Sequence, residues 1–413
     1  MRGRPRGLAR LLFAEFWERF SYFAVLSVFA LYVNEHLHIP EGRAVALAGT
    51  LAALTYLTPL LGGWLADRVL GSWRTLLLGS VVLTAGYATL ISPSVVAFYA
   101  AVGLLTFGSG LFKPNITACI GSLFTRLDDP CRSAAFRAFY VCVNLAAGIA
   151  PLTIGAIRSR ADWPVVFGAC ALSALLCLFT LARTRETSAQ RVPSSGLSMG
   201  PGSRSAGGGA LAVLCVPAIA FSAIYAQSLG TLIFWSRDRV DLTLGGWLGT
   251  PINPAATCSM IPALAIMLSP TLEPLRRFLG HLGVMRSAAS ELRLSLLLAA
   301  FSIGILAIPE WAAPAHSRIS ATWLLASYVL ATLSELIIVP LSLSLIEEIA
   351  PPGRVVTYTG VWYLSAAVGS QLAGEAGRLW GTMPAASYFL VVSLIPLVAY
   401  ALLWPLGSRI ARR

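Results

Sequence analysis

Five charged side chains set in apolar surroundings are the residues of this chain whose types and spacing can do chemistry. The first three lie in Glu15-Phe16-Trp17-Glu18-Arg19-Phe20-Ser21-Tyr22-Phe23. Positions i, i+3 and i+4 share one face of a helix, so Glu15, Glu18 and Arg19 form a single charged stripe. The fourth is Lys113 in Gly-Leu-Phe-Lys-Pro-Asn, the only lysine among 30 basic residues. An ammonium is a compact point charge on a flexible stem, unlike the planar guanidinium used everywhere else in the chain. The fifth is Glu335, in Leu333-Ser334-Glu335-Leu336-Ile337. Three carboxylates against two cations leave a net charge of minus one, which one proton or one cationic ligand group would neutralise. That is the chemistry of proton binding coupled to ion pairing. Blander readings stand beside it: Glu15 as a solvated inner-end charge, Lys113 as a snorkelling side chain, and Glu335 as a carboxyl hydrogen-bonded between helices.

The elements that carry these residues cross a membrane. A mean hydropathy of +0.75, with 57% hydrophobic and 12% charged residues over 413 positions, does not describe a soluble protein. Apolar stretches of about twenty residues, each enough for about 30 Å of hydrocarbon, recur along the whole chain. Twelve spans are expected, roughly at 10–34, 44–66, 74–92, 96–122, 134–157, 163–183, 210–235, 254–276, 291–310, 319–349, 355–377 and 385–408. Glu18 lies about ten residues into the first, or ~15 Å at 1.5 Å per residue, near the bilayer centre. The first stretch lacks a small-residue cleavage site and carries charges in its middle, so it reads as a span and not a signal peptide.

Arginine placement orients the chain. With both termini in the cytoplasm, 21 of its arginines fall inside, seven outside (Arg43, Arg158, Arg160, Arg237, Arg239, Arg318, Arg378), and Arg19 within a span. This asymmetry follows the positive-inside rule and accounts for the +12 net charge. It also removes a nucleic-acid partner, which would need basic residues clustered on a soluble domain. The seven cysteines form no CxxC pair, so neither disulfides nor a metal site is expected. The four histidines map to loops. With no HExxH, no GxSxG and no intramembrane histidine to act as base, no catalytic residue is assigned and an enzyme is not expected.

One composition break divides the chain. Residues 184–210, TRETSAQRVPSSGLSMGPGSRSAGGGA, read as a flexible cytoplasmic linker. It separates an N-terminal bundle of six spans, 1–183, from a C-terminal bundle of six, 211–413. That plan resembles the major facilitator superfamily, an all-α membrane fold of 12 transmembrane helices in two six-helix bundles, with its ligand cavity between the halves. The loop Gly62-Gly63-Trp64-Leu65-Ala66-Asp67-Arg68-Val69-Leu70-Gly71-Ser72-Trp73-Arg74 is similar to the superfamily's signature loop. There, Asp67, Arg68 and Arg74 would form a cytoplasmic gate; a positive-inside loop that happens to contain an Asp is the plainer alternative.

Further motifs narrow the resemblance. Glu15-x-x-Glu18-Arg19-Phe20-x-Tyr22, the Ala66-Asp67-Arg68 loop, Gly110-Leu111-Phe112-Lys113-Pro114-Asn115 and Phe139-Tyr140-Val141-Cys142-Val143-Asn144 together resemble the proton-dependent oligopeptide transporters, the POT family. So do Tyr225-Ala226-Gln227, Ser334-Glu335 with Pro340 and Ala350-Pro351, and Gly360-Val361-Trp362-Tyr363-Leu364-Ser365. These motifs run in order over nearly the whole chain. The resemblance implies that Glu15, Glu18, Arg19, Lys113 and Glu335 couple protons. It implies that Arg19 and Lys113 hold a peptide's carboxylate and that Glu335 receives its amino terminus. Tyr22, Tyr56, Asn144, Gln227, Trp362 and Ser365 would line the pocket, although Tyr56 and Trp362 equally suit interhelical packing. It implies a monomer needing no cofactor, with protons, a short peptide and the bilayer as partners, in the inner membrane.

The chain also departs from the family pattern. Phe23 stands where a second tyrosine is usual, Ala226 where many members carry an acid, and the residue near Ile261 where an asparagine is often found. The 27-residue linker leaves no room for the two extra helices common in bacterial members. The expected activity is proton-coupled import of di- and tripeptides by alternating access. Two alternatives remain at this point: the same machine carrying nitrate or a small organic anion, and a membrane sensor that keeps the fold without transporting.

Overall fold

The computed structural model describes residues 7–124, 130–184, 207–243, 250–281, 283–285, 287–314, 317–351 and 354–406. Most of the expected linker, residues 185–206, lies outside them. Each of the twelve expected spans is mostly helical over its described residues. They comprise α1 (Leu8–Glu35), α2 (Glu41–Leu57) continued by α3 (Pro59–Leu65), α4 (Ser72–Thr89), α5 (Val95–Gly121), α6 (Pro130–Arg158) and α7 (Trp163–Ala182). After the linker come α8 (Gly207–Tyr225) with α9 (Thr231–Arg239), α10 (Met260–Leu268) with α11 (Leu272–His281), α12 (Ala288–Gly304) with α13 (Ala307–Ala312), α14 (Ala321–Ile349), α15 (Val355–Gly377) and α16 (Ala385–Leu406). Among the described residues, ten helical stretches are long and apolar enough to cross a membrane. Two two-residue strands, β1 (Val240–Asp241) and β2 (Ile319–Ser320), pair in parallel, Val240 with Ile319.

By packing, the chain forms two compact units, Met1–Tyr32 with Leu54–Met199, and Val33–Ala53 with Gly200–Arg413. In the first, α5 lies against α3 and α4, and α4 against α7. Local sequence explains the closest of these approaches. Pro59 starts α3 where a missing N–H costs nothing. Pro114, inside α5, has no N–H to give to the Gly110 carbonyl four residues back. Gly62 of α3 sits against that carbonyl so closely that a Cβ there would lie 2.0 Å from the Gly110 oxygen. Only glycine fits, and its Cα–H can face the freed acceptor. Gly71, with φ 77°, ends the π-helical turn Ala66–Leu70 in a conformation that side chains resist.

In the second unit α8 packs on α15, and α12 on α14 and α16. Trp235, Tyr328, Tyr388, Phe389 and Val392 belong to one apolar core, and Phe221, Leu296, Ile338, Tyr358 and Trp362 to another. The segment 33–53 joins this unit although it precedes the linker in sequence. Small residues explain why: a Cβ on Gly49 would lie 2.6 Å from the Ser370 carbonyl, and one on Gly377 2.2 Å from the Val45 side chain. A polar cluster closes the contact. Glu41 takes an ion pair from Arg237 on one oxygen and the Trp380 indole N–H, at 2.8 Å, on the other. Arg237 also donates to the Asn34 side chain at 3.2 Å. Partial burial disfavours the charge on Arg237, but hydrogen bonds and attraction from Asp238 and Glu41 outweigh it and push its pKa up.

Candidate functional site

The charged stripe on α1 is buried inside the first unit. Glu15 and Glu18 both pair with Arg19, the first at 3.3 Å and the second through a shorter contact. Each acid keeps one buried oxygen, Glu15 Oε2 and Glu18 Oε1, that no described group hydrogen-bonds. Neighbouring contacts fix the helix that carries them. The Ser21 hydroxyl meets that of Ser173 on α7 at 2.6 Å, and the Cys142 thiol on α6 donates to the Leu12 carbonyl at 3.2 Å.

Lys113 reaches the same region from α5. The Thr58 hydroxyl donates to the Thr106 carbonyl at 2.9 Å, and the Asn115 amide to the Gly62 carbonyl at 3.4 Å. With the Gly62–Gly110 approach, these bonds lock the α2–α3 segment onto α5 and bring Thr55 and Tyr56 beside the lysine. Its ammonium lies 4.2 Å from the centre of the Tyr22 ring and 5.2 Å from that of Tyr56, and donates a long bond of 3.5 Å to the Thr55 carbonyl. Inside the first unit it makes no ion pair with a described carboxylate. Arg19 stacks its guanidinium on the same Tyr22 ring, 4.8 Å from the centre, and the Tyr22 hydroxyl is 3.1 Å from that of Thr55. One ring therefore lies within reach of two cations. Thr55 had no signal in the sequence: it is one threonine in an apolar run, and its part depends on a helix contact 58 residues away in sequence.

The second unit holds Glu335 near the middle of α14, where its buried Oε2 meets no described hydrogen-bond partner. Trp362 and Ser365, three residues apart on α15, are both buried, and the Trp362 indole N–H is unpartnered. Gln227 is placed differently from a lining residue. It is 0% exposed, in a tight turn between α8 and α9, where it accepts from the Tyr388 hydroxyl at 2.9 Å. Thr231 meets the same hydroxyl at 3.0 Å, so Gln227 belongs to an interhelical network. Asn144, in the first unit, turns its amide back to the Tyr140 carbonyl of its own helix at 3.0 Å. Asp67, Arg68 and Arg74 are exposed on and after the π-helical turn.

The fold agrees with known proteins. Residues 11–374 match the model of the Major Facilitator Superfamily. The chain belongs to that superfamily. It is accordingly a multi-pass membrane protein of a transporter family, not an enzyme. Among its relatives, the uncharacterized transporter YclF of Bacillus subtilis (strain 168) is 28% identical, covering 99% of this chain and 95% of that protein. A di-/tripeptide transporter of Lactococcus lactis subsp. cremoris is 25% identical, with 96% and 94% covered. Among solved structures, a mutant of the peptide transporter POT in complex with sulfate superimposes with a TM-score of 0.88 at 26% identity, covering 100% of this chain and 96% of that one. The same mutant in complex with alafosfalin gives 0.87 at 26% identity and the same coverage.

Proposed function

We propose that this superfamily member is a proton-coupled symporter that imports di- and tripeptides across the inner membrane by alternating access, with both termini cytoplasmic. The observation that carries the proposal is the α1 stripe, with two buried acids sharing one arginine and each keeping an unbonded oxygen. A proton can be taken up there without displacing any other partner. Arg19 and Lys113 supply the cations for a peptide carboxylate, and Glu335 an acceptor for its ammonium group. The relatives named as di-/tripeptide transporters support this cargo. The energy source is the proton gradient, with no bound cofactor, and a monomer suffices. Tyr22, Tyr56, Asn144, Trp362 and Ser365 would contact the peptide, Gln227 would hold the α8–α9 turn in place, and Asp67, Arg68 and Arg74 would gate the cytoplasmic side.

A second reading, import of nitrate or a small organic anion, is favoured by Gln227 being withdrawn into the Tyr388 network and by Ala226 beside it. Such a cargo would use Arg19 and Lys113 and leave Glu335 idle. Purified protein in proteoliposomes under an imposed inward proton gradient separates these readings. Accumulation of a labelled dipeptide with proton influx is expected. Accumulation of nitrate or an organic acid but of no peptide would replace the cargo, and no solute-dependent proton flux would favour a sensor.

A further inference from the structure

Arg19 is buried and Lys113 half-buried in the first unit, and the two cations are held by different means. Arg19 takes both carboxylates of α1. Lys113 takes aromatic faces: Tyr22 at 4.2 Å, Tyr56 at 5.2 Å, and one long bond to a carbonyl. An ammonium over the face of an aromatic ring, within about 6 Å of its centre, is attracted by the ring quadrupole, by as much as ~2 kcal/mol when desolvated. Rings satisfy a charge without neutralising it. A carboxylate in the same place would have to be displaced before an anionic ligand could bind.

We infer that Tyr22 and Tyr56 act as positioning residues that form an aromatic cradle of two rings, holding Lys113 as an unneutralised cation for the anionic end of the ligand. This goes beyond lining a pocket, because what matters is the ring face and not the hydroxyl. Tyr22 does a second job, since Arg19 lies on the same ring at 4.8 Å. Its hydroxyl, 3.1 Å from that of Thr55, ties the ring to the residue whose carbonyl accepts from Lys113. Tyr56 is 37% exposed, so the cradle is open on that side.

The inference rests on the peptide reading only for the identity of the anion, and its test has an arm that does not need it. Because Lys113 is the only lysine, protein grown with 13C-lysine gives a single lysine Hε–Cε signal. Ring currents from two aromatic faces should place that signal well upfield of a solvated lysine. Tyr22→Leu and Tyr56→Leu should each move it back towards the ordinary position, and Tyr22→Phe and Tyr56→Phe should leave it upfield. In proteoliposomes the Leu variants should raise the KM for a labelled dipeptide about tenfold over the matching Phe variants, with a smaller change in kcat. Each Phe variant keeps the ring volume and controls for misfolding. An ordinary lysine signal in the unmodified protein overturns the cradle. So does equal KM for Leu and Phe variants when the signal has moved. If the unmodified protein takes up no peptide, the peptide reading falls, and the cradle then stands or falls on the signal alone.

Discussion

The two units treat their buried acids in opposite ways. In the first, Glu15 and Glu18 share Arg19, and a second cation lies in the same region against the Tyr22 ring. In the second, Glu335 has no ion pair and no hydrogen bond to a described residue. The first set is balanced in charge, two against two, although Lys113 meets aromatic rings and not a carboxylate. A lone carboxylate out of water needs a proton or a cation brought to it. The difference is one of partners: the acids of the first unit share a cation, while that of the second has none among the described residues.

Breaking the balanced set should have the largest effect. Arg19→Leu leaves two buried carboxylates without their cation, and losing one partner of a buried pair costs about 3–5 kcal/mol. The expected result is a large fall in melting temperature in detergent together with loss of proton-driven uptake. A variant that melts like the parent would show that the acids do not depend on Arg19, and the contrast between the units would disappear.

The lone acid should behave in the reverse way. Glu335→Gln removes no partner, so little change in melting temperature is expected. Uptake should suffer instead, because a hydrogen bond to a charged group is worth about 1.5–3 kcal/mol. A dipeptide KM raised ten- to a hundredfold is expected. A dipeptide with an acetylated amino terminus sharpens the comparison. It carries no ammonium, so parent and variant should handle it alike. Equal loss for both peptides would mean that Glu335 does not meet the amino group.

Much of this contrast is legible in the sequence, and what is not has physical causes. The stripe at i, i+3 and i+4 appears because helical geometry is local, and the spans appear because hydrocarbon thickness sets their length. Even the lone lysine stands out by composition. Contacts between helices leave no such trace. Gly62 and Gly110 look like ordinary small residues until Pro114 is seen to free the carbonyl between them. Gln227 reads as a ligand contact through the resemblance of Tyr225-Ala226-Gln227 to a family motif, yet its partner Tyr388 lies 161 residues away. Glu41 lies outside every expected span, with nothing in the sequence to announce Arg237 or Trp380.

The helix approach that aims Lys113 offers a gentler break. Gly62→Ala would put a methyl 2.0 Å from the Gly110 oxygen, so the α3–α5 backbones must part. Overpacking of this kind costs about 1–3 kcal/mol. It should also lift Lys113 from its rings, so the single lysine signal should move although no residue of the charged set has changed. Gly63→Ala is the control, since nothing lies within 4 Å of a Cβ there. A signal that stays in place in Gly62→Ala would show that the glycine contact does not position the lysine.

The smallest effect is expected from an ion pair of the second unit, and it tests whether burial is the source of the difference. Glu41 and Arg237 keep 27% and 28% of their side chains exposed, against 4% and 7% for Glu15 and Arg19. Water screens the outer pair, and pairs of that kind contribute about 0.2–1 kcal/mol. Glu41→Gln keeps an acceptor for the Trp380 indole and removes only the charge. A slight fall in melting temperature is expected, and it should shrink at 1 M salt, where the Debye length is about 3 Å. The Arg19→Leu deficit should not shrink, because ions do not reach that pair. If salt erases both deficits, the α1 stripe is wetter than its packing implies, and a proton there would compete with solvent cations. If salt erases neither, the Glu41 effect arises from the Trp380 bond and the backbone contacts around Gly42, not from its charge.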